Sequence, residues 1–192
     1  MNDQDLDLLF RQARTVSAWT DRAVDDRTLR AVFELASLGP TSANCQPARF
    51  LFIRTREGKR RLKPFLAPGN VDKTMAAPVT VVVAEDLDFP ATLPRLFPHA
   101  DARSWFEGDD ALIQATAFRN ATLQAAWAIM AARALGLDCG PMSGFDAKRL
   151  DAEFFPTSRI RSTLLINLGH GDPAAQHPRL PRLGFDEACR LM

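Results

Sequence analysis

The chain has 192 residues, a formal net charge of +1, and 46% hydrophobic against 24% charged residues, which is the balance of an ordinary globular protein. A charge this close to zero excludes the basic footprint of nucleic-acid-binding and membrane-surface proteins, so neither kind of partner is expected. A chain of this length is expected to form one domain, residues 1–192, that buries about 70% of the surface of the unfolded chain.

The N-terminus and the cysteines indicate a cytoplasmic protein. Residues 1–10 hold three aspartates and no basic residue, which is unlike a secretory signal, and the longest apolar run, residues 75–84, is too short to span a bilayer. The three cysteines are odd in number and lack a C-x-x-C spacing, which favours a reducing compartment over a disulfide scaffold. No metal site is predicted, because the three histidines have no metal-ligand spacing with cysteines or acids.

Apolar spacing and capping residues predict alternating helices and strands in the first half of the chain. The predicted elements are a helix over 6–13, a helix capped by Asp25 or Asp26 and ended by Gly39, a strand over 50–54, a short helix over 55–64 and a strand over 79–84. The last of these is almost continuously β-branched, which predicts a central strand buried on both faces.

The second half is dominated by a predicted loop and one long helix. Residues 86–108 hold three prolines and show no clear period, so we expect a loop of the length that functional lids have. Residues 109–135 predict a helix of about 40 Å with small and apolar residues on more than one face, which a two-fold dimer interface would help to bury. The elements after it are a helix end at Gly136, a short helix over 146–154, a strand over 160–168, a loop over 169–182 and a terminal helix over 186–192.

The run GPTSANCQPARF, Gly39–Phe50, is the most informative stretch of the chain. Neutral hydrogen-bonding side chains crowd into one turn, and the prolines on either side fix the chain direction and bar helix continuation. These side chains are Thr41, Ser42, Asn44 and Gln46. Such a turn can present donors and acceptors to a flat polar ligand, and a well-capped surface turn is the alternative.

This run resembles the Pro-Ser-Ser-x-Asn-x-Gln-Pro element of the FMN-dependent nitroreductase family, and the chain is most similar to its malonic semialdehyde reductase (3-hydroxypropanoate dehydrogenase) subgroup of pyrimidine degradation. The similarity extends over six segments in family order, residues 14–19, 39–50, 70–83, 96–106, 135–146 and 179–187. The resemblance implies an α+β, nitroreductase-like fold with a central, mainly antiparallel sheet flanked by helices and built as an intertwined homodimer. It also implies FMN as cofactor, NADPH or NADH as hydride donor, and a small-molecule substrate.

The resemblance implies a site for the dianionic FMN phosphate, which needs guanidinium or ammonium partners. Arg14 and Thr15 match the start of the family's Arg-Ser-x-Arg-x-Phe element, and Arg182 matches the C-terminal arginine of the family. The second basic position of that element is Ser17 here, which weakens the site unless Arg179 substitutes for it. Each arginine taken singly is more typical of a solvated surface position, and the paired N- and C-terminal placement is what favours Arg14 and Arg182.

Two further segments and one residue of the long helix are expected near the flavin ring. Asn70 and Lys73 match an Asn-x-x-Lys element of the family that precedes a strand, and a fixed cation there favours the reduced flavin, which carries negative charge near N1 and the C2 carbonyl. The loop that faces flavin N5 in relatives matches Pro141, Met142, Ser143 and Gly144. Asn120 lies where relatives place an amide near the ring, although a hydrogen bond to a neighbouring helix would explain it equally well.

The resemblance implies that each site uses both subunits. One chain would contribute Arg14, Asn70, Lys73 and Arg182, and its partner would contribute Pro40, Thr41, Ser42 and Asn44. Two FMN molecules per dimer and no active monomer are therefore expected.

The segment over 96–106 is similar to the same subgroup and supplies the candidate substrate residues. Arg103 could bind the carboxylate of malonic semialdehyde, and His99 could donate a proton to the developing alkoxide. Trp105 and Phe106 could exclude water from the flavin. In the alternative interpretation Arg103 pairs with Asp101 or a neighbouring acid, and the two aromatic residues form a small core of the segment itself.

The implied reaction is ping-pong: NAD(P)H passes hydride to flavin N5 and leaves, and an oxidant takes its place. The favoured substrate is malonic semialdehyde, which would be reduced to 3-hydroxypropanoate. A broad nitro or quinone reductase is the first alternative, because those groups accept electrons from a flavin more readily than a plain aldehyde. A flavin-binding protein without turnover is the second.

Overall fold

The computed structural model describes residues 2–192, which fold around one four-stranded sheet. The strands are β1 (Ala48–Ile53), β2 (Val79–Asp86), β3 (Asp138–Met142) and β4 (Ile160–Gly169). The helices are α1 (Asp3–Leu6), α2 (Asp26–Ala36), α3 (Arg56–Leu62), α4 (Val71–Ala76), α5 (Leu93–Leu96), α6 (Asp110–Ala134), α7 (Ala147–Phe154) and α8 (Phe185–Ala188). Every strand pair is antiparallel, in the order β1-β2-β4-β3, so the predicted α+β fold with an antiparallel sheet is confirmed.

Helices cover both faces of the sheet, which explains why β2 is apolar on both sides. On one face α2 and α6 pack around Val81, Val83 and Ile166. On the other face α3 and α7 pack around Val82 and Leu165. Because β2 lies between β1 and β4 and its first seven residues are buried, the prediction of a central strand from its β-branched run is confirmed.

The predicted helix ends are confirmed where a side chain or a glycine specifies them. The carboxylates of Asp25, Asp109 and Asp146 each accept a hydrogen bond from a backbone N–H in the first turn of α2, α6 and α7 respectively. Gly136, at φ +77°, ends α6 in the left-handed conformation that glycine adopts without strain.

One prediction around the candidate ring contacts is wrong, and one segment there forms a helix that was not predicted. Pro141 and Met142 do not lie in a loop but in β3, which pairs with the end of β4, and only Ser143 and Gly144 follow the strand. Asn70 and Lys73 precede β2, as the matched element implies, but Lys73 lies in α4, a helix that the sequence gave no capping signal to predict.

The segment over 86–108 is not the open loop that its prolines predicted. It contains α5 and two 3₁₀ turns, Phe89–Thr92 and Ser104–Phe106, and it folds over a small core against the start of α6. The rings of Phe89 and Phe106 meet edge-on in this core with their centroids 5.0 Å apart. Prolines at the first positions of short helical turns are tolerated because the missing N–H would have no intrahelical partner.

Gly39 does not end α2 directly, since that helix ends at Ala36. Gly39 instead lies against α6, where a Cβ would fall 2.5 Å from Cγ of Trp127. The glycine is therefore required by the close approach of the turn to α6.

No helix among residues 2–192 is long and apolar enough to cross a membrane. The same residues contain no group of three or more His, Cys, Asp or Glu side chains that could hold a metal ion.

Candidate functional site

Four guanidinium groups gather where a π-helical turn, Asp7–Arg11, continues α1 and ends. Arg179 donates to the carbonyls of Phe10, Arg11 and Ala13, and Arg14 donates to two of the same carbonyls. The nearby positive charges of Arg14, Arg182 and Arg133 all act on Arg179, which places the four arginines in one cluster. We call Arg14, Arg133, Arg179 and Arg182 the arginine cluster.

The cluster carries unneutralised positive charge. Among residues 2–192 no carboxylate lies within ion-pair distance of any of its four members. Desolvation lowers the pKa of Arg179 first, and repulsion from Arg14, Arg182 and Arg133 lowers it further. Cations at the end of a helix are favourable, but four of them without an acid make a surface that attracts an anion.

Arg133 is the member that sequence reasoning missed. It lies in the last turn of α6, and its Nη1 donates to the carbonyl of Leu9 at 3.0 Å. An arginine at the C-terminal end of a helix is ordinary in sequence, so only the packing of α6 against the N-terminal segment shows that it joins the cluster.

Thr15 and Ser17 lie beside the cluster but face a different cleft. Thr15 pairs with Cys139 of β3, and Thr15 and Ser17 line a cleft of about 200 Å³ together with Asp138 and Asp172. Two carboxylates disfavour a phosphate in that cleft. The cleft that Ser17 lines is therefore less suited to a phosphate than the arginine cluster.

Asn70 lies against the residues after β3, and Lys73 lies three residues further along, in α4. The Asn70 side-chain amide donates to the Gly144 carbonyl at 2.8 Å, which fixes the start of α4 against the end of β3. The Lys73 carbonyl accepts from the Trp19 indole N–H at 3.0 Å, so the segment that begins at Arg14 is tied to the same helix. The Lys73 side chain is half-buried and Ser143 is exposed.

The polar turn before β1 is built by its own side chains. Thr41 Oγ1 accepts from the Gln46 backbone N–H, and Gln46 Nε2 donates to Asn44 Oδ1. Ser42 and Pro40 are exposed, as a ligand-binding role requires. The Cys45 thiol beneath the turn is wholly buried, and burial raises its pKa to about 11, so it is not a nucleophile near neutral pH.

The same turn holds most of the left-handed backbone of the chain. Among residues 2–192 four non-glycine residues have positive φ, and Ala43, Asn44 and Gln46 are three of them, at +48°, +49° and +39°. Each such residue costs about 1–3 kcal/mol and persists only where the surroundings impose it. Strain of this kind concentrates at functional sites, which favours the ligand-binding interpretation over an ordinary surface turn.

Asn120 is one of the groups that impose the turn. Its side chain is fully buried: Oδ1 accepts from the Ser42 backbone N–H at 2.8 Å, and Nδ2 donates to the Thr116 carbonyl. These hydrogen bonds agree with the alternative in which Asn120 has a structural role and does not contact the ring, although its partner is the polar turn and not a neighbouring helix. Asn120 thus positions Ser42 from below.

The candidate substrate residues lie on the same side as the turn. Asn44 Nδ2 donates to the Leu96 carbonyl, and the Phe97 ring beyond it contacts His99 and Trp105 edge-on. His99 and Arg103 are exposed, and Trp105 keeps 53% of its surface in solvent. Arg103 forms no ion pair in the described part of the chain, and Asp101 accepts instead from the Ser104 backbone N–H, so the predicted Arg103–Asp101 alternative is not seen. Phe106 is buried in the segment's own core, as that alternative expected.

The predicted site residues therefore form two groups at opposite edges of the sheet. The polar turn directly precedes β1, and Ser143 and Gly144 directly follow β3, while β2 and β4 lie between these outer strands. At about 4.8 Å between strands, three spacings separate the groups by about 14 Å or more. Within a single chain the two groups are therefore not adjacent.

Comparisons with known proteins agree with this architecture. The model of the nitroreductase family matches residues 10–170. A Burkholderia lata protein named as an NADH dehydrogenase/NAD(P)H nitroreductase is 59% identical over 191 residues, which cover 100% of this chain and 98% of that protein. A Stutzerimonas stutzeri protein of the same name is 62% identical over 183 residues, covering 95% and 93% of the two chains.

Solved structures give the same fold at low identity. A structure from Exiguobacterium sibiricum, described as a nitroreductase in complex with FMN, superimposes with a TM-score of 0.86 at 19% identity, covering 97% of this chain and 96% of its own. A Bacillus subtilis nitroreductase gives a TM-score of 0.86 at 20% identity over 100% of both chains.

Proposed function

Because this chain belongs to the nitroreductase family, we propose that it is an FMN-dependent NAD(P)H oxidoreductase whose active sites lie between two copies of the chain. The observation that carries the proposal is the arginine cluster, four guanidiniums that no carboxylate neutralises within residues 2–192. A dianionic phosphate is the ligand that such a cluster fits.

The residues present fit the rest of FMN as well. The phosphate would be held by the arginine cluster, that is, by Arg14, Arg179 and Arg182 together with Arg133. The half-buried Lys73 would face the pyrimidine edge of the ring. The Asn70–Gly144 hydrogen bond fixes α4 against the end of β3 and leaves the exposed Ser143 beside it. In its complex with FMN, the Exiguobacterium protein has the same fold, which supports this assignment.

A homodimer would complete the site. The polar turn of one chain would meet the Asn70–Gly144 group of the other, since about 14 Å of sheet separates the two groups within a chain. An apolar pocket of about 500 Å³ beside α2 and α6 would also be covered by a partner. The side chains exposed around it are Phe10, Leu35, Leu38 and Trp127. Residues 176–192 are exposed throughout and hold four further exposed large hydrophobic side chains before the last residue, as expected of an arm that packs on another subunit.

When bound, FMN supplies the group that accepts and returns a hydride. The chain contributes the electrostatics and the enclosure. Lys73 places an ammonium that stabilises negative charge at the pyrimidine edge, and the polar turn offers Ser42 and Thr41 as neutral donors that add no charge. Trp105, exposed in the single chain, would exclude water from the ring when the second copy closes the site.

The favoured substrate is malonic semialdehyde, a small aldehyde with a carboxylate. Arg103 is exposed and carries no ion pair in the described chain, so its guanidinium is available for that carboxylate. His99 lies near Arg103 along the same segment and could donate the proton that an alkoxide product needs.

A nitro or quinone reductase is the second candidate, and the names of two relatives at 59% and 62% identity favour it. The two candidate activities use the same cofactor, the same hydride donor and the same site between two chains. They differ only in what the segment over 96–106 selects.

One set of measurements tests the proposal and separates the candidates. Purified protein should be yellow or become so with FMN, and NADPH or NADH should bleach it anaerobically. Re-oxidation by malonic semialdehyde, lost in Arg103→Gln and kept in the control Arg95→Gln on α5, would support the aldehyde. Re-oxidation only by nitroaromatics and quinones would support the second candidate. A protein that binds FMN but keeps its colour with both nicotinamides is a flavin-binding protein, and one that stays colourless refutes the proposal.

A further inference from the structure

A buried polar network lies behind the Asn70–Gly144 group, between α3 and the sheet. Lys59 of α3 donates to the Thr74 carbonyl at 2.7 Å and to Thr80 Oγ1 at 2.5 Å. Thr80 Oγ1 donates in turn to Asn167 Oδ1 at 2.6 Å. Asn167 Nδ2 donates to the Lys73 carbonyl and to Thr74 Oγ1, both at 3.3 Å.

The network is unusually well buried for one that contains an amine. Lys59 is 5% exposed, and Thr74, Thr80 and Asn167 are completely buried. No carboxylate in the described chain pairs with Lys59, and the charged groups that share its surface depression are Arg54, Arg56 and Arg60. Burial lowers the pKa of Lys59 to about 7. An apolar side chain would avoid this cost, so the core alone does not explain a lysine here.

The hydrogen bonds of the network converge on the backbone of α4. The carbonyls of Lys73 and Thr74 both accept from it, and the Lys73 carbonyl accepts a further bond from Trp19 Nε1. Thr74 Oγ1 also contacts Met142 Sδ at 3.5 Å, which links α4 to β3. The network therefore fixes the turn from which the Lys73 side chain emerges and the strand that leads to Ser143.

We propose that Lys59 is a positioning residue for the flavin site: acting through Thr80 and Asn167, it holds the backbone of Lys73 so that the Lys73 ammonium lies at the pyrimidine edge of the ring. This inference rests on the proposed function, because it concerns the same site. Lys59 does not touch the cofactor. It fixes α4, the helix that carries Lys73, and Lys73 is the residue that contacts the ring.

The consequence is specific to the redox state of the flavin. The Lys73 ammonium interacts more strongly with the reduced ring, which carries the negative charge, than with the oxidised ring. A displaced Lys73 therefore weakens the binding of reduced FMN more than that of oxidised FMN. General loosening of the fold would weaken both states alike and leave the potential of the bound flavin unchanged.

The test compares the parent protein as purified with the variants Lys59→Met, Thr80→Val and Thr80→Ser. Lys63→Met, at an exposed lysine next to α3, is a matched control. Thr80→Val removes the hydroxyl at nearly constant volume, whereas Thr80→Ser keeps it. The measurements are the dissociation constant of oxidised FMN by fluorescence and the two-electron midpoint potential of the bound flavin against a reference dye.

We expect Lys59→Met and Thr80→Val to favour oxidised over reduced FMN about tenfold relative to the parent, which lowers the potential by about 30 mV. Thr80→Ser and Lys63→Met should stay close to the parent potential. If Lys59→Met does not fold, Thr80→Val against Thr80→Ser carries the same comparison. A parent that binds FMN, with variants whose potential is unchanged, would overturn the positioning role alone. A parent that binds no FMN would overturn the proposed function and this inference with it.

Discussion

Two kinds of basic residue in this chain show how context decides the role of a charge. The arginines of the cluster are exposed or half-buried and face no acid within residues 2–192, so the cluster suits an anion. Lys59 is buried without a carboxylate and makes hydrogen bonds only to a carbonyl and a hydroxyl. Its charge is a cost to the folded state, and this cost depends on pH.

The first prediction concerns that dependence. Burial lowers the pKa of Lys59 from 10.5 to about 7 in the folded protein, so the unfolded chain binds the extra proton between these values and stability rises with pH across this window. Relative to Lys59→Met, the parent should gain about 2 kcal/mol in free energy of unfolding between about pH 6.5 and pH 8.5. Urea unfolding of both proteins at the two pH values measures this difference.

The comparison cancels the effect of the buried thiols. Burial raises the pKa of Cys45 and Cys139 to about 11 and about 12, which lowers stability as the pH rises past their unfolded value. Both proteins carry both cysteines, so the difference between them reports on Lys59. A difference that stays constant with pH would mean that Lys59 has an ordinary pKa.

The second prediction concerns Arg133. If it is part of the phosphate site, Arg133→Gln should weaken oxidised FMN binding about tenfold, the loss of one charge-assisted contact. The exposed Arg27 on α2, which forms no ion pair in the described chain, provides the control Arg27→Gln. Fluorescence titration with FMN measures both, and added salt should narrow the difference. Equal affinities would assign Arg133 only to the hydrogen bond with Leu9.

At the scale of elements, the polar turn before β1 combines strain with support. Ala43, Asn44 and Gln46 are left-handed, while Asn120 and Thr41 hold the turn through its backbone N–H groups. A turn that was merely a connection between α2 and β1 would gain nothing from this strain, because glycine would relieve it.

The third prediction uses that difference at Ala43, whose φ is +48°. Ala43→Val should lower the free energy of unfolding by about 1–2 kcal/mol, because a β-branched residue fits the left-handed region poorly. Ala43→Gly should be neutral or stabilising by up to about 1 kcal/mol. The control Ala115→Gly, at an exposed site within α6, should instead destabilise by about 1 kcal/mol. Equal losses for glycine at 43 and 115 would contradict the strained turn.

The sequence predicts elements well where one local signal is enough. The β-branched run specifies β2, and the alanine-rich length specifies α6, without help from distant residues. The helix starts are specified locally as well, by the caps Asp25, Asp109 and Asp146. β3 lacks such a signal. Its Gly140 and Pro141 disfavour a strand, and the segment is extended because the edge of β4 pairs with it.

The candidate site divides in the same way. The sequence alone identifies Thr41 and Ser42 as candidates, because they belong to a compact polar pattern. It also identifies Arg14 and Arg182, which lie in the first and last segments that resemble the family. Arg133 and Lys59 are not, because a single arginine at a helix end and a lysine in the run KRR look like solvated surface. Their roles depend on which segments pack against α6 and α3, and that is set by tertiary contacts.

At the scale of the whole molecule, the separated halves of the site and the exposed apolar residues require one explanation. The polar turn and the Asn70–Gly144 group lie at opposite edges of the sheet. Phe33, Leu38, Phe118, Leu123 and Trp127 remain at least 40% exposed on and beside α2 and α6. Burying the part of each side chain that is still exposed would contribute about 1 kcal/mol to association, so one two-fold contact would remove the apolar surface and join the halves.

The last prediction tests this arrangement by complementation. Arg14→Ala with Arg182→Ala removes the phosphate half, and Ser42→Ala with Asn44→Ala removes the turn half, so each double variant alone should bind little FMN. In a heterodimer of the two, one site collects both defects and the other collects none. Random pairing makes half of the dimers mixed, so co-expression should restore FMN to about a quarter of the sites. Absorbance of the purified mixture measures the flavin content, and light scattering confirms that the species is a dimer. If each site lies within one chain, every site in the mixture carries a defect and co-expression restores nothing.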